Sequence, residues 1–239
     1  LTGTWAGVLA GRDAVLFDLD GVLVDSRGAF SRAVNAALVA NGLPARSEDE
    51  LHQYLGPPLH HAFADLVDDH ALVQRCVDAY RVIYSERAAT ETAVFPGIRD
   101  LLADLSRRVT LVVATSKPRA LAEPLLRALE LRGFFAAVVG PELEAENEPK
   151  TVTVERAIRE LPSGARPVMV GDRRYDIVAA HENAILAVGA LWGIGSEQEL
   201  VAAGADDLAR TPAELAGMFA PLGTIVDEPS PSADGQVLG

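Results

Sequence analysis

Residues 13–26 read DAVLFDLDGVLVDS. An apolar, β-prone run from Ala14 to Phe17 ends on Asp18, Leu19, Asp20 and Gly21, with Asp25 and Ser26 close behind. Alternation along an extended chain turns Asp18 and Asp20 to one side, at the carboxyl end of a buried strand. Open α/β sheets bind their ligands at that end. Close carboxylates repel unless a cation or a shared proton holds them. Folding alone gives no reason to bring them together, so the pair reads as chemistry.

Three further elements carry polar groups in comparable places. Ala114-Thr115-Ser116-Lys117 closes the β-run 109–115. Hydroxyls and fresh backbone N–H groups at a strand-to-helix turn bind phosphate, although the same residues also serve as an ordinary N-cap. Lys150 follows Pro149 at a helix start, where a cation opposes the helix dipole and is slightly unfavourable. Val170-Gly171-Asp172-Arg173-Arg174-Tyr175-Asp176 is another β-run ending in acid, with Asp172 and Asp176 either facing one opening or acting as turn and cap. Each element alone has a structural explanation. Together, at the ends of parallel strands, they converge on one crevice.

The elements that must position these groups alternate. Helical patterns at 97–108, 118–131, 149–161 and 174–183 separate β-runs at 14–17, 109–115, 134–140, 167–172 and 184–191. That rhythm predicts an α/β fold with a parallel sheet covered on both faces. It breaks after the first β-run, since residues 27–92 carry helical patterns only. The expected architecture is a Rossmann-like, doubly wound core from residues 12–25 and 93–222, with an inserted all-helical cap domain at 26–92. Hinges are expected near 25–26 and 92–97, and flexible terminal segments at 1–11 and 223–239.

Composition sets the outer bounds. The 239 residues, 49% of them hydrophobic, suffice for one large core with a small accessory domain. A net charge of −13 argues against nucleic acid or an anionic membrane as partner, and it obliges any anionic substrate to find a local positive site. The single cysteine, Cys76, lies in a helical run and reads as a packed side chain. One cysteine excludes an intramolecular disulfide and a multi-cysteine zinc site, and points to a reducing compartment. No apolar stretch approaches the ~18 residues of a membrane span. Residues 1–11 lack the basic start and cleavage pattern of a signal peptide, so a cytoplasmic monomer or homodimer is expected.

The order and spacing of the four elements resemble the haloacid dehalogenase superfamily in its phosphatase branch, across residues 13–215. Leu55-Gly56-Pro57-Pro58-Leu59, the Gly-Asp-Arg-Arg-Tyr-Asp run, and Gly189-Ala190-Leu191-Trp192-Gly193-Ile194-Gly195-Ser196 are similar to the phosphoglycolate phosphatase-like group with a helical cap. Bacterial 5′-nucleotidases and pyrophosphatases of that group look alike. The resemblance implies Asp18 as a nucleophile forming an aspartyl-phosphate, and Asp20 as the acid for the leaving oxygen and then the base for water. It implies Mg²⁺ held by Asp18, the backbone carbonyl of Asp20 and Asp172, with Asp176 ligating through water or only orienting Lys150. Thr115 and the Ser116 and Gly21 amides would grip the phosphoryl oxygens, and Lys150 would neutralise charge in transfer. Charge demands such partners. A carboxylate ~4 Å from a phosphate dianion, at an effective dielectric of ~20, is repelled by roughly 8 kcal/mol. Mg²⁺ suits a set of aspartates without His or Cys. An acid at Asp20 fits a phosphate ester, whereas the family's dehalogenases carry a different residue there.

The cap should decide the substrate, expected to be a small phosphorylated metabolite. Pro57 and Pro58 stiffen a turn facing the crevice. His60, His61, Arg81 and Arg87 offer contacts for a substrate carboxylate or a second phosphate, although His60 and His61 point about 100° apart on a helix and make a poor metal pair. Tyr80 and Tyr84 read as cap packing. Glu142, Glu144, Glu146 and Glu148 read as a solvated face that weakens binding of highly charged substrates, and Trp192 with its flanking glycines as a flexible loop. Two other readings stay open: a phosphomutase returning phosphate to a sugar, and a non-catalytic phospho-acceptor module. The latter places its acceptor later in the chain and has no helical insertion.

Overall fold

The computed structural model describes residues 9–56, 59–145 and 148–219. Its strands are β1 (Ala14–Phe17), β2 (Val24–Asp25), β3 (Ala93–Val94), β4 (Thr110–Ala114), β5 (Ala137–Val139), β6 (Pro167–Gly171), β7 (Leu186–Ala190) and β8 (Asp207–Ala209). Six of them form one parallel sheet in the order β5-β4-β1-β6-β7-β8. β1 lies near the middle, flanked by β4 and β6, and all four of its residues are fully buried. Burial on both faces explains why the run is continuously apolar rather than alternating.

The two faces have separate cores. Val15 and Phe17 point to one and Ala14 and Leu16 to the other. The first face is covered by α5 (Ile98–Leu105), α6 (Arg119–Ala128) and α10 (Pro212–Met218); Phe17 meets Phe135 there edge-on at 6.4 Å between ring centres. The second is covered by α7 (Lys150–Arg159), α8 (Arg174–Glu182) and α9 (Glu197–Ala202). The sheet is therefore doubly wound. After β1 the chain runs outward through β4 and β5, then crosses back to β6, so the connections diverge between β1 and β6. Crevices form at such switch points, beyond the carboxyl ends of the strands.

The helical insertion lies between β2 and β3, which pair antiparallel through Val24–Val94 and Asp25–Ala93. It comprises α1 (Arg27–Ala40), α2 (Glu48–His52), α3 (Leu59–Leu66) and α4 (His70–Glu91). Helix starts follow local chemistry. Ser47 and Glu50 cap α2 reciprocally, and the Asp69 carboxylate accepts the Ala71 N–H at 2.8 Å. Along α4, Val73, Cys76, Val77, Tyr80, Tyr84 and Ala88 recur at three- and four-residue steps and form the buried stripe. Cys76 is thus a packed side chain. Tyr80 is the hub of the cap core, meeting Phe30 and Phe63 edge-on and stacking on Tyr84 at 5.2 Å.

Two features differ from the sequence-based expectation. The run 134–140 shrinks to β5 because Arg132–Phe134 winds into a 3₁₀ turn, and β8 adds a sheet edge from three residues whose first is Asp207. Leu9 is buried, with its N–H donating to the Met218 carbonyl at 2.9 Å; residues 1–8 and 223–239 of the expected terminal segments lie outside the described residues. Among the described residues no helix is long and apolar enough to cross a membrane. Truncating Leu16, fully buried in the central strand, should lower stability by about 2–5 kcal/mol. Urea unfolding should show a lower midpoint at an unchanged slope; a loss under about 0.5 kcal/mol would refute the central placement of β1.

Candidate active site

Asp18 follows β1 directly, and its N–H donates to the Val170 carbonyl of β6 at 3.0 Å. That bond sets the two acid-bearing strand ends side by side. Gly21 then turns the chain at φ +88°, and a Cβ there would collide with the Asp172 carboxylate. Only glycine permits both the left-handed backbone and the close approach. From the far side, Gly193 presses against Asp172 in the same way. Its loop is held in place, because the Ile194 N–H donates to Asp172 Oδ2 at 2.7 Å and the Trp192 indole N–H donates to the Val22 carbonyl at 2.9 Å. The expected loose loop is a wall of the site.

Lys150 occupies the first position of α7, and its Nζ lies 2.7 Å from Asp18 Oδ1 and 2.8 Å from Asp176 Oδ1. Ion pairs to two acids explain a cation at an unfavourable helix start. Asp18, Asp172 and Asp176 are buried, and each offers a carboxylate oxygen within 4.8 Å of the others. Burial pushes the Asp18 carboxyl up to about 6 against the pull of Lys150, with Asp176 and Asp20 adding to the rise. Burial and then the charges of Asp176 and Asp18 push Asp172 up to about 8. Burial works against the Lys150 charge, but Asp176 and Asp18 outweigh it and raise its pKa. Asp172 Oδ1 is buried and has no hydrogen-bond partner among the described residues. An orphaned buried oxygen, three converging carboxylates and one lysine leave an excess of negative charge among hard oxygen donors. The residues fit a divalent cation.

Asp20 sits apart from that set. Its Oδ2 pairs with Lys117 Nζ at 2.9 Å and its Oδ1 accepts the Ser26 hydroxyl at 2.5 Å. Lys117 also donates to the Tyr84 hydroxyl of α4 at 2.9 Å. Burial opposes the Lys117 charge, yet Asp20 and Tyr84 raise its pKa well above the ordinary value. The sequence motif contained Lys117 without giving it a role. Its position after a Thr-Ser pair was the one available signal. Thr115 is buried and its hydroxyl oxygen accepts the Lys117 N–H at 3.1 Å, while Ser116 faces the chamber between cap and core. The Gly21 amide, expected on a phosphoryl oxygen, donates instead to the Val24 carbonyl at 2.9 Å, because the turn closes on itself.

The cap residues divide. Tyr80 lines the chamber and Tyr84 supports Lys117, beyond their packing role. His60 sits against His70, 5.9 Å between ring centres, and Arg81 donates to the Leu143 carbonyl at 2.9 Å. Among the described residues lining the chamber, neither His60 nor Arg81 is found; Arg87 is exposed and His61 faces a second groove beyond Lys150. Pro57 and Pro58 lie outside the described residues, as do Glu146 and the Glu144 side chain. Glu142 is exposed, 3.7 Å from Arg119, but Glu148 is committed to Arg156 and Thr153, each at 3.0 Å, at the start of α7.

A doubly wound parallel sheet, a helical insertion behind its first strand and a lysine bridging buried aspartates define a hydrolytic enzyme that handles oxyanions. The family of haloacid dehalogenase-like hydrolases matches residues 15–190, and the chain belongs to it. It is 35% identical to a 5′-nucleotidase of Pseudomonas aeruginosa, over 78% of this chain and 86% of the relative. It is 33% identical to a phosphoglycolate phosphatase of Chromobacterium violaceum, over 84% and 94%. The crystal structure of a predicted phosphatase from Clostridium acetobutylicum superposes with a TM-score of 0.79 at 32% identity, covering 86% of this chain and 96% of that one.

The raised acids make a pH-dependent prediction. Asp172 moves from 3.8 when unfolded to about 8 when folded, so its favourable contribution is complete below pH 4 and is lost as pH rises through 8. Asp18, raised to about 6, acts in the same direction. Without metal, Tm should therefore fall between pH 5 and 8. Millimolar Mg²⁺ should restore roughly 3–10 °C at pH 8 and much less at pH 5, with both effects muted in Asp172→Asn. Equal Mg²⁺ responses at the two pH values would count against the cluster as a cation site.

Proposed function

We propose that this haloacid dehalogenase-like phosphatase hydrolyses a small phosphate monoester through a phosphoryl group carried on Asp18. The observation that carries the reading is Lys150, held between Asp18 and Asp176 inside the carboxylate cluster. A lysine there opposes the repulsion between an attacking carboxylate and a phosphoryl dianion. Asp18, Asp172 and the backbone carbonyl of Asp20 would hold Mg²⁺, which when bound supplies charge neutralisation at the phosphoryl oxygens. Asp176 orients Lys150 through their 2.8 Å contact.

The Asp18 carboxylate attacks phosphorus as the bond to the leaving oxygen breaks, and Asp20 gives its proton to that oxygen. Water then loses a proton to Asp20 and attacks the phospho-Asp18, releasing inorganic phosphate and the free carboxylate. Ser26 and Lys117 each hold one Asp20 oxygen, fixing its carboxyl plane for both transfers. The Thr115 hydroxyl and the Ser116 amide contact the phosphoryl oxygens.

Asp18→Asn should cut kcat on p-nitrophenyl phosphate by at least ~10⁴ while the fold is kept; near-normal turnover would end the nucleophile assignment. Asp20→Asn should cost ~10²–10⁴ with an alkyl phosphate and far less with the p-nitrophenyl ester, whose leaving oxygen needs little help. An equal loss on both esters would remove the acid role.

A further inference from the structure

The chamber beside Asp18 and Asp20 is walled by Phe30, Tyr54, Leu59 and Tyr80 of the cap and by Leu121 of the core. From these walls we propose that the enzyme takes monoesters whose leaving group is uncharged and discriminates against a carboxylate or second phosphate there. The inference rests on the phosphatase reading above and narrows its substrate class.

Lys117 is the one cation among the described residues lining the chamber. Its ammonium is already held by Asp20 and by the Tyr84 hydroxyl, each at 2.9 Å. The segments outside the described residues contain no Lys, Arg or His that could supply another. The neighbouring groove is lined by His61, Lys150 and Arg174 and by Glu148 and Glu182; its two acids equal Lys150 and Arg174 in number, and Lys150 is already paired with Asp18 and Asp176. An anionic leaving group would therefore lie near Asp18 and Asp20 without a partner, which desolvation and like-charge repulsion both oppose. An apolar or hydroxylated one removes its surface from water against leucine and aromatic faces instead.

The test compares matched substrates on the full chain with Mg²⁺: ethyl phosphate against phosphoglycolate, which differ by a methyl for a carboxylate, and benzyl phosphate against pyrophosphate. The uncharged member of each pair should have a kcat/KM at least about tenfold higher. Tyr54 is half-buried on the chamber wall, so Tyr54→Lys should shift the phosphoglycolate-to-ethyl-phosphate ratio at least about tenfold toward the acid. Phosphoglycolate or pyrophosphate matching or exceeding its uncharged partner in the wild type would overturn the inference, with Asp18-dependent turnover still supporting the phosphatase. An unchanged ratio in a folded Tyr54→Lys would overturn it too. Absence of turnover on every ester, p-nitrophenyl phosphate included, would instead sink the phosphatase reading and this inference with it.

Discussion

The whole arrangement depends on crowding like charges where they repel. Asp18, Asp172 and Asp176 are buried with oxygens within 4.8 Å of one another, and Lys150 is the cation that touches two of them. At such distances a pair of carboxylates costs about 4 kcal/mol at an effective dielectric of ~20. The backbone imposes that proximity. β1 and β6 pair with Phe17 opposite Val170, so Asp18, next after Phe17, and Asp172, two residues after Val170, come to one rim. A one-residue slip would turn Asp18 into the opposite core, which the buried alternation of Leu16 and Phe17 forbids. Hydrophobic register thus holds an electrostatic arrangement that the acids would not adopt alone.

The two acids of the opening motif live in different surroundings. Asp18 shares Lys150 with Asp176, whereas Asp20 has its own lysine and a serine hydroxyl. Separate environments let neighbouring carboxyls take separate roles. The Lys117–Tyr84 bond also joins the core to the cap, as do the bonds from Arg81 to the Leu143 carbonyl and from Arg173 to the Leu55 carbonyl. One lysine therefore couples the carboxyl of Asp20 to the cap helix that walls the chamber.

The core and the acids were legible because each strand of the middle sheet is an apolar run ending abruptly in polar chemistry: Asp18 after Phe17, Thr115 after Ala114, Asp172 after Gly171. Lys150 was legible as a cation in a place helix electrostatics disfavour. β2 and β3 were not, since two-residue strands carry no period, and β8 begins on an acid. The Lys117 partnership was hidden because its partners, Asp20 and Tyr84, are distant in sequence and meet it only when cap and core assemble. Nor could the sequence show that His60 sits against His70 and that Arg81 donates to the Leu143 carbonyl, since these partners too are set by helical phase and tertiary packing. A residue's type announces what it could bind; the rotation of its helix decides what it meets.

A single-turnover reaction with ³²P-labelled substrate, quenched in acid within milliseconds and digested, tests the central claim most directly. Label should appear on the peptide containing residues 13–26, at Asp18, sensitive to hydroxylamine, and decay no slower than kcat. Full turnover with no label at Asp18 at any quench time would show that water attacks the ester directly, and that the buried carboxylate serves some other end.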